Sequence, residues 1–179
     1  MVIGDEWVLV ENPKTGSSSM RQALLAMGAD YAASKHTPLT DPQIAPARRL
    51  RFVVVRNPYD RMVSAWKHNV KLARPDEPFE DWLLGPAWEA GVGLDIKRVP
   101  QTVWAWKCNV ILRFENIDAE WARMLNAIGL PHRPLPRVNV GDRPPYQEVY
   151  TPRTRQIVED RFGADLDRWG YSFDEVRPW

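Results

Sequence analysis

Cysteine is nearly missing: Cys108 is alone in 179 residues, so no intrachain disulfide can form and a reducing compartment is favoured. Charge of one sign is missing too. With 24 Lys and Arg against 23 Asp and Glu there is no chain-wide field for nucleic acid or an anionic membrane, so an anion site must be assembled locally. Long hydrophobic runs are also absent; the first, Trp7 to Val10, falls short of a signal-peptide core or a membrane span. A soluble, cytoplasmic protein with no nucleic-acid or membrane partner is expected. Three histidines, at 36, 68 and 132, are scattered, and no metal is expected. No repeat or low-complexity tract occurs, and 44% hydrophobic residues suit a single domain over 1–179.

What is present is a grammar of strands leading into helices. "EWVLVE" (6–11) reads as a buried strand ending at Asn12-Pro13. Met20, Ala23, Leu24 and Met27 then form a helical stripe, with Ser17 or Ser18 as N-cap and Gly28 as stop. "RFVVV" (51–55) is a second buried strand; Asn57 caps the next helix, Pro58 takes its first position, and Tyr59, Met62, Val63, Trp66 and Val70 make its stripe. A third strand, 110–114, precedes a helix capped by Asp118, with Trp121, Met124, Leu125 and Ile128 inward. Thr151 and Pro152 open the closing helix, and only short helices are expected in 75–107. Alternating strands and helices predict an α/β fold with a mostly parallel sheet covered on both faces.

The loop "NPKTGSSSM" (12–20) joins a strand to a helix N-terminus, where unpaired N–H groups and the helix dipole favour phosphate or sulfate. Gly16 permits close backbone approach, and Thr15, Ser17, Ser18 and Ser19 add hydroxyl donors. Lys14 precedes the glycine, whereas in the nucleotide-triphosphatase loop GxxxxGK[ST] the lysine follows it. A Ser-rich cap with a solvated lysine is the alternative reading. Arg56 ends the second strand and Ser64 lies two helical turns on, so both can serve one phosphate. Arg61 either joins them or pairs with an acid such as Asp60.

"PKTGSSS" followed by "RFVVVRNPYDRMVSAW" resembles the paired signature of the sulfotransferases that use 3′-phosphoadenosine 5′-phosphosulfate, closest to carbohydrate-modifying and bacterial members. The similarity continues more loosely through "VILRFENI" and "YTPRTRQIVEDRFGADLDRWGYSF". It implies a three-layer sandwich of the P-loop NTPase-like sulfotransferase type. In such enzymes the first motif, here Lys14 to Ser19, holds the 5′-phosphosulfate, and the second, here Arg56 and Ser64, the 3′-phosphate. Lys14 would stabilise the bridging oxygen as its bond to sulfur breaks, with no metal. The late segment "VNVGDRPPY" lies where family members carry a nucleotide-covering loop, which would bring Arg143 to the 3′-phosphate and Tyr146 to adenine, although it departs from the basic, glycine-containing pattern of the cytosolic branch. Ser19 stands where the cytosolic branch has an adenine-stacking aromatic.

The acceptor implied is a hydroxyl-bearing carbohydrate or small metabolite. Related enzymes place a histidine or acid near the sulfuryl group; His36, at the end of the strand candidate "DYAASKH", is the preferred base and Glu115 the alternative. His68 reads as packing or acceptor contact and His132 as loop. Lys67, Lys71, Arg74, Lys97 and Arg98 either meet an anionic acceptor or form a solvated face. The competing functions are a P-loop-type small-molecule kinase, opposed by the missing GK[ST] order, and a non-catalytic nucleotide-binding module.

Overall fold

The computed structural model describes residues 1–32, 35–39, 49–72, 76–85, 96–138 and 144–174. The chain divides into two compact units, one built from 1–56, 101–140 and 178–179, the other from 57–100 and 141–177.

The first unit carries a five-stranded sheet: β1 (Val2–Ile3), β2 (Trp7–Val10), β3 (Asp30–Tyr31), β4 (Leu50–Val55) and β5 (Val110–Arg113), in the order β3-β1-β2-β4-β5. β2, β4 and β5 are parallel neighbours, with Val10 opposite Val53 and Val55 opposite Arg113. β1 runs antiparallel to both β2 and β3. The sheet is therefore mixed, not mostly parallel as expected. The reason is local: Gly4 N–H bonds back to Trp7 O at 3.1 Å, so β1 and β2 form a hairpin that needs no crossover helix.

Period-2 alternation sends Trp7 and Leu9 of β2, and Phe52 and Val54 of β4, to one face. There they pack with Met20 and Leu24 of α1 (Ser17–Leu25) and Trp121, Met124 and Leu125 of α5 (Ile117–Ala127). Val8, Val10, Val53 and Val55 on the opposite face are equally buried, which explains the near-continuous apolar strands. Burying a side chain such as Trp121 contributes on the order of 2–3 kcal/mol. Ahead of α5, residues Phe114–Asn116 form a 3₁₀ turn. Asp118 is not its cap; Asn116 holds that position, and Asp118 pairs with Arg137 at 2.9 Å. The short α4 (Thr102–Ala105) precedes Cys108, whose thiol burial pushes up to about 12.

The second unit is helical: α2 (Pro58–Leu72), α3 (Phe79–Leu84) and α6 (Pro152–Trp169), with 3₁₀ turns at Ile96–Arg98 and Tyr146–Glu148. Tyr59, Met62 and Val63 of α2 pack with Phe79, Trp82, Val158 and Phe162. Asn57 Oδ1 accepts the Tyr59 N–H at 3.0 Å, the expected cap for α2. Thr151 and Thr154 form a reciprocal capping box that starts α6. α6 continues as far as Trp169, bending at Phe162 (φ −119°). Among the described residues, no helix is long and apolar enough to cross a membrane.

Candidate active site

The loop between β2 and α1 is pinned from inside. Asn12 O accepts the Thr15 and Ser17 hydroxyls at 2.9 and 3.0 Å, so these two serve the turn and neither reaches outward. Gly16, not Ser17 or Ser18, is the N-cap. Its φ of 78° is left-handed, and a Cβ there would meet the Phe114 ring at 3.2 Å, so both backbone and space require glycine. The N–H groups of Ser17 and Ser18, at the very start of α1, have no carbonyl within the helix to bond, whereas the Ser19 and Met20 N–H groups already donate to Gly16 O at 3.0 and 3.4 Å. Ser19 is buried, and its hydroxyl accepts the Val138 N–H at 3.2 Å.

Arg56, one residue past β4, is 4% exposed. Its guanidinium lies 4.0 Å over the Phe114 ring, and Nη1 donates to Lys14 O at 2.9 Å. The strand-end arginine thus holds the carbonyl of the loop lysine. Lys14 is half-buried with φ 66°, a left-handed conformation that L-residues adopt at a cost. Gln101, fully buried, bonds Arg56 through both backbone groups and also receives the Asn12 amide.

His36 bonds the same loop, at Glu11. It sits in a turn, φ 62°, not at the end of a second strand, since β3 stops at Tyr31. Its Nδ1–H donates to Glu11 O at 2.7 Å. That carbonyl can only accept, which leaves Nε2 as the ring's basic nitrogen. Burial, partly offset by the bond to Glu11, moves the imidazole below its usual 6.5, so it is neutral near pH 7. The Glu11 carboxylate is buried and takes the terminal ammonium at 3.1 Å, the Tyr31 hydroxyl at 3.3 Å and Arg21 at 3.5 Å. Beside it opens a pocket of about 460 Å³ lined by Ser18, Arg21, Gln22, Tyr31, Lys35 and Val138. Burial first, and then Arg21, lowers the Lys35 ammonium below its ordinary value.

This geometry belongs to a chain whose residues 11–172 match the model described as Sulfotransferase family. The chain belongs to the sulfotransferase family. Neither a curated protein nor a solved structure matches it. Membership makes this protein a transferase and sulfuryl transfer its general reaction.

In this sulfotransferase the first unit brings together Lys14, Thr15, Gly16, Ser17, Ser18, Ser19, Arg56 and His36. Ser64 lies half-buried on α2 in the second unit. Arg143 and Arg74, like the side chain of Lys71, lie outside the described residues. Arg61 is structural: fully buried, it donates to Val99 O at 2.8 Å. Tyr146 is not an exposed adenine platform; its hydroxyl donates to Phe173 O at 2.7 Å and its ring packs among Tyr59, Tyr150 and Phe173. Arg98 is buried over Trp82 and bonds Gly85 O, which removes it from any acceptor-facing set. Glu115 is half-buried in the turn after β5, His68 half-buried on α2, and His132 exposed in a loop. Among the described residues no group of three or more His, Cys, Asp or Glu is placed to hold a metal ion.

Sequence reasoning missed Asn12, Gln101 and Phe114. Asn12-Pro13 was visible as the strand's end, but nothing near Gln101 signals partners 45 and 89 residues away. Arg21 and Lys35 were missed because they share a wall only after β3 folds beside α1.

Proposed function

We propose that this protein transfers the sulfuryl group of 3′-phosphoadenosine 5′-phosphosulfate to a hydroxyl of a carbohydrate or small metabolite. The fold proposed is the P-loop-like three-layer sandwich, with both compact units forming one sulfotransferase domain. The observation that carries the reading is the meeting, on one loop, of a lysine held in left-handed backbone, a helix start capped by glycine, a buried strand-end arginine and a neutral histidine. Those residues fit the donor. The α1 N-terminus offers N–H groups to the phosphosulfate, and Arg56 and Ser64 are assigned to the 3′-phosphate.

His36 Nε2 takes the proton of the acceptor O–H as that oxygen forms its bond to sulfur. Lys14 stabilises the bridging oxygen, which leaves with the electron pair of the broken S–O bond as part of 3′-phosphoadenosine 5′-phosphate. The transfer is in line, so base and lysine act on opposite sides of the sulfur. The acceptor is assigned to the pocket beside Lys35, the residue before His36. With Arg21 and Lys35 on its wall it suits an acceptor bearing anionic substituents.

Calorimetric titration with 3′-phosphoadenosine 5′-phosphate, against adenosine 5′-phosphate and magnesium ATP, tests the donor. Tighter binding that needs the 3′-phosphate and weakens in Arg56→Ala and Ser64→Ala is expected. Preference for ATP, or no nucleotide binding by folded protein, would overturn the reading in favour of a kinase or a non-catalytic module.

A further inference from the structure

We propose that Gln101 is a positioning residue that fixes the spacing between the phosphosulfate loop and the arginine assigned to the 3′-phosphate. The inference rests on the donor site proposed above. The β2-β4 pairing carries the two chains side by side only as far as Val10 and Val53. Asn12 and Arg56 then lead into different elements. At that point the side chain of Gln101 takes the place of a neighbouring strand. Its Oε1 accepts the Arg56 N–H at 2.9 Å and its Nε2–H donates to Arg56 O at 2.8 Å. A primary amide carries a donor and an acceptor side by side, as a peptide group does, so one side chain satisfies both backbone groups.

The same Oε1 accepts Asn12 Nδ2–H at 3.1 Å, while Asn12 Nδ2 also donates to Val54 O at 2.9 Å. Asn12 O in turn holds the Thr15 and Ser17 hydroxyls, and Arg56 Nη1 returns to Lys14 O. The bonds close a ring: Gln101 to Asn12, through the loop to Lys14, to Arg56 and back to Gln101. Gln101, Asn12 and Arg56 are at most 4% exposed, so water does not compete for these bonds and the ring is held stiffly. A ligand that reaches from Lys14 to Arg56 benefits from a fixed spacing, whereas one that meets only the loop does not.

The test is the affinity ratio between 3′-phosphoadenosine 5′-phosphate and adenosine 5′-phosphate in Gln101→Met, which keeps the length of the side chain and removes its amide. The ratio should fall roughly tenfold, about the effect of losing one or two net hydrogen bonds. Adenosine 5′-phosphate affinity should move little. In an Arg56→Ala background the same substitution should leave the ratio unchanged, because the arginine it positions is gone. A lowered melting temperature with an unchanged ratio would reduce Gln101 to packing and overturn the proposal. Gln101→Glu, which keeps the acceptor and loses the donor, gives the same ratio test if the Met variant does not fold. Wild-type protein without any 3′-phosphate preference would remove the donor reading itself; preference kept equally by wild type and variants would sink only the role of Gln101.

Discussion

Lys14 and His36 share a feature that local propensity does not favour: both have positive φ, 66° and 62°. Such backbone costs on the order of 1 kcal/mol per residue outside glycine and persists where surrounding bonds hold it. Here Arg56 holds Lys14 O, and Glu11 O holds the His36 ring. Strain and chemistry can therefore be separated. Lys14→Ala and Lys14→Gly should both lower kcat roughly a hundredfold, with donor-product affinity within a few-fold of wild type. The Gly variant should nevertheless be about 1 kcal/mol more stable than the Ala variant in urea unfolding. For His36 the sign follows from its depressed proton affinity. With the neutral imidazole as the proposed base, kcat/KM should fall on the acid side at a pH below 6.5. The unfolded chain binds that proton more readily, so stability too should decline as pH drops through 6.5 toward the lower folded value. His36→Ala should abolish the acid limb in a pH-rate profile; an unchanged limb would transfer the base role to another group such as Glu115.

Helix starts differ from element to element; α3, α4 and α5, like α1, begin without a side-chain cap bond. α2 and α6 begin with conventional side-chain caps, Asn57 and Thr151, and both were readable because cap and partner lie within three residues. α1 begins with Gly16, which makes no side-chain cap bond, although serines capable of capping follow at once. Ser17 instead turns back to Asn12 O, so the start of α1 carries no side-chain cap. This contrast yields a paired expectation. Thr151→Ala should lower unfolding free energy by about 1 kcal/mol in chemical denaturation, with specific activity unchanged per folded molecule. A comparable loss of activity would mean that α6 feeds into the site. The mixed sheet was less legible. A two-residue strand such as β1 is too short for periodicity, and only the return bond from Gly4 to Trp7 reveals its direction.

The family match covers residues 11–172 and so runs through both compact units. A bound nucleotide should accordingly stabilise the molecule by mass action. At about one hundred times its Kd, 3′-phosphoadenosine 5′-phosphate should add roughly 2.7 kcal/mol to unfolding. Differential scanning calorimetry would show this as a raised Tm, lost in Arg56→Ala; an equal rise with adenosine 5′-phosphate at the same multiple of the wild-type protein's Kd for 3′-phosphoadenosine 5′-phosphate would deny the 3′-phosphate a part. By itself the sequence determined the strand-loop-helix units and the glycine-bearing loop that enters α1, and it supplied the residues proposed for both phosphate sites. Turns, caps and helical stripes act over a few residues, and their partners are neighbours in the chain. Only the tertiary structure decided that Gln101 joins Asn12 to Arg56, across 89 and 45 residues, and that Glu11 O selects the His36 tautomer, across 25. It also decided that Arg98 and Tyr146, polar enough to suggest ligands, are spent on internal bonds. Such bonds depend on which surfaces burial brings together, and no local pattern of residue types records that.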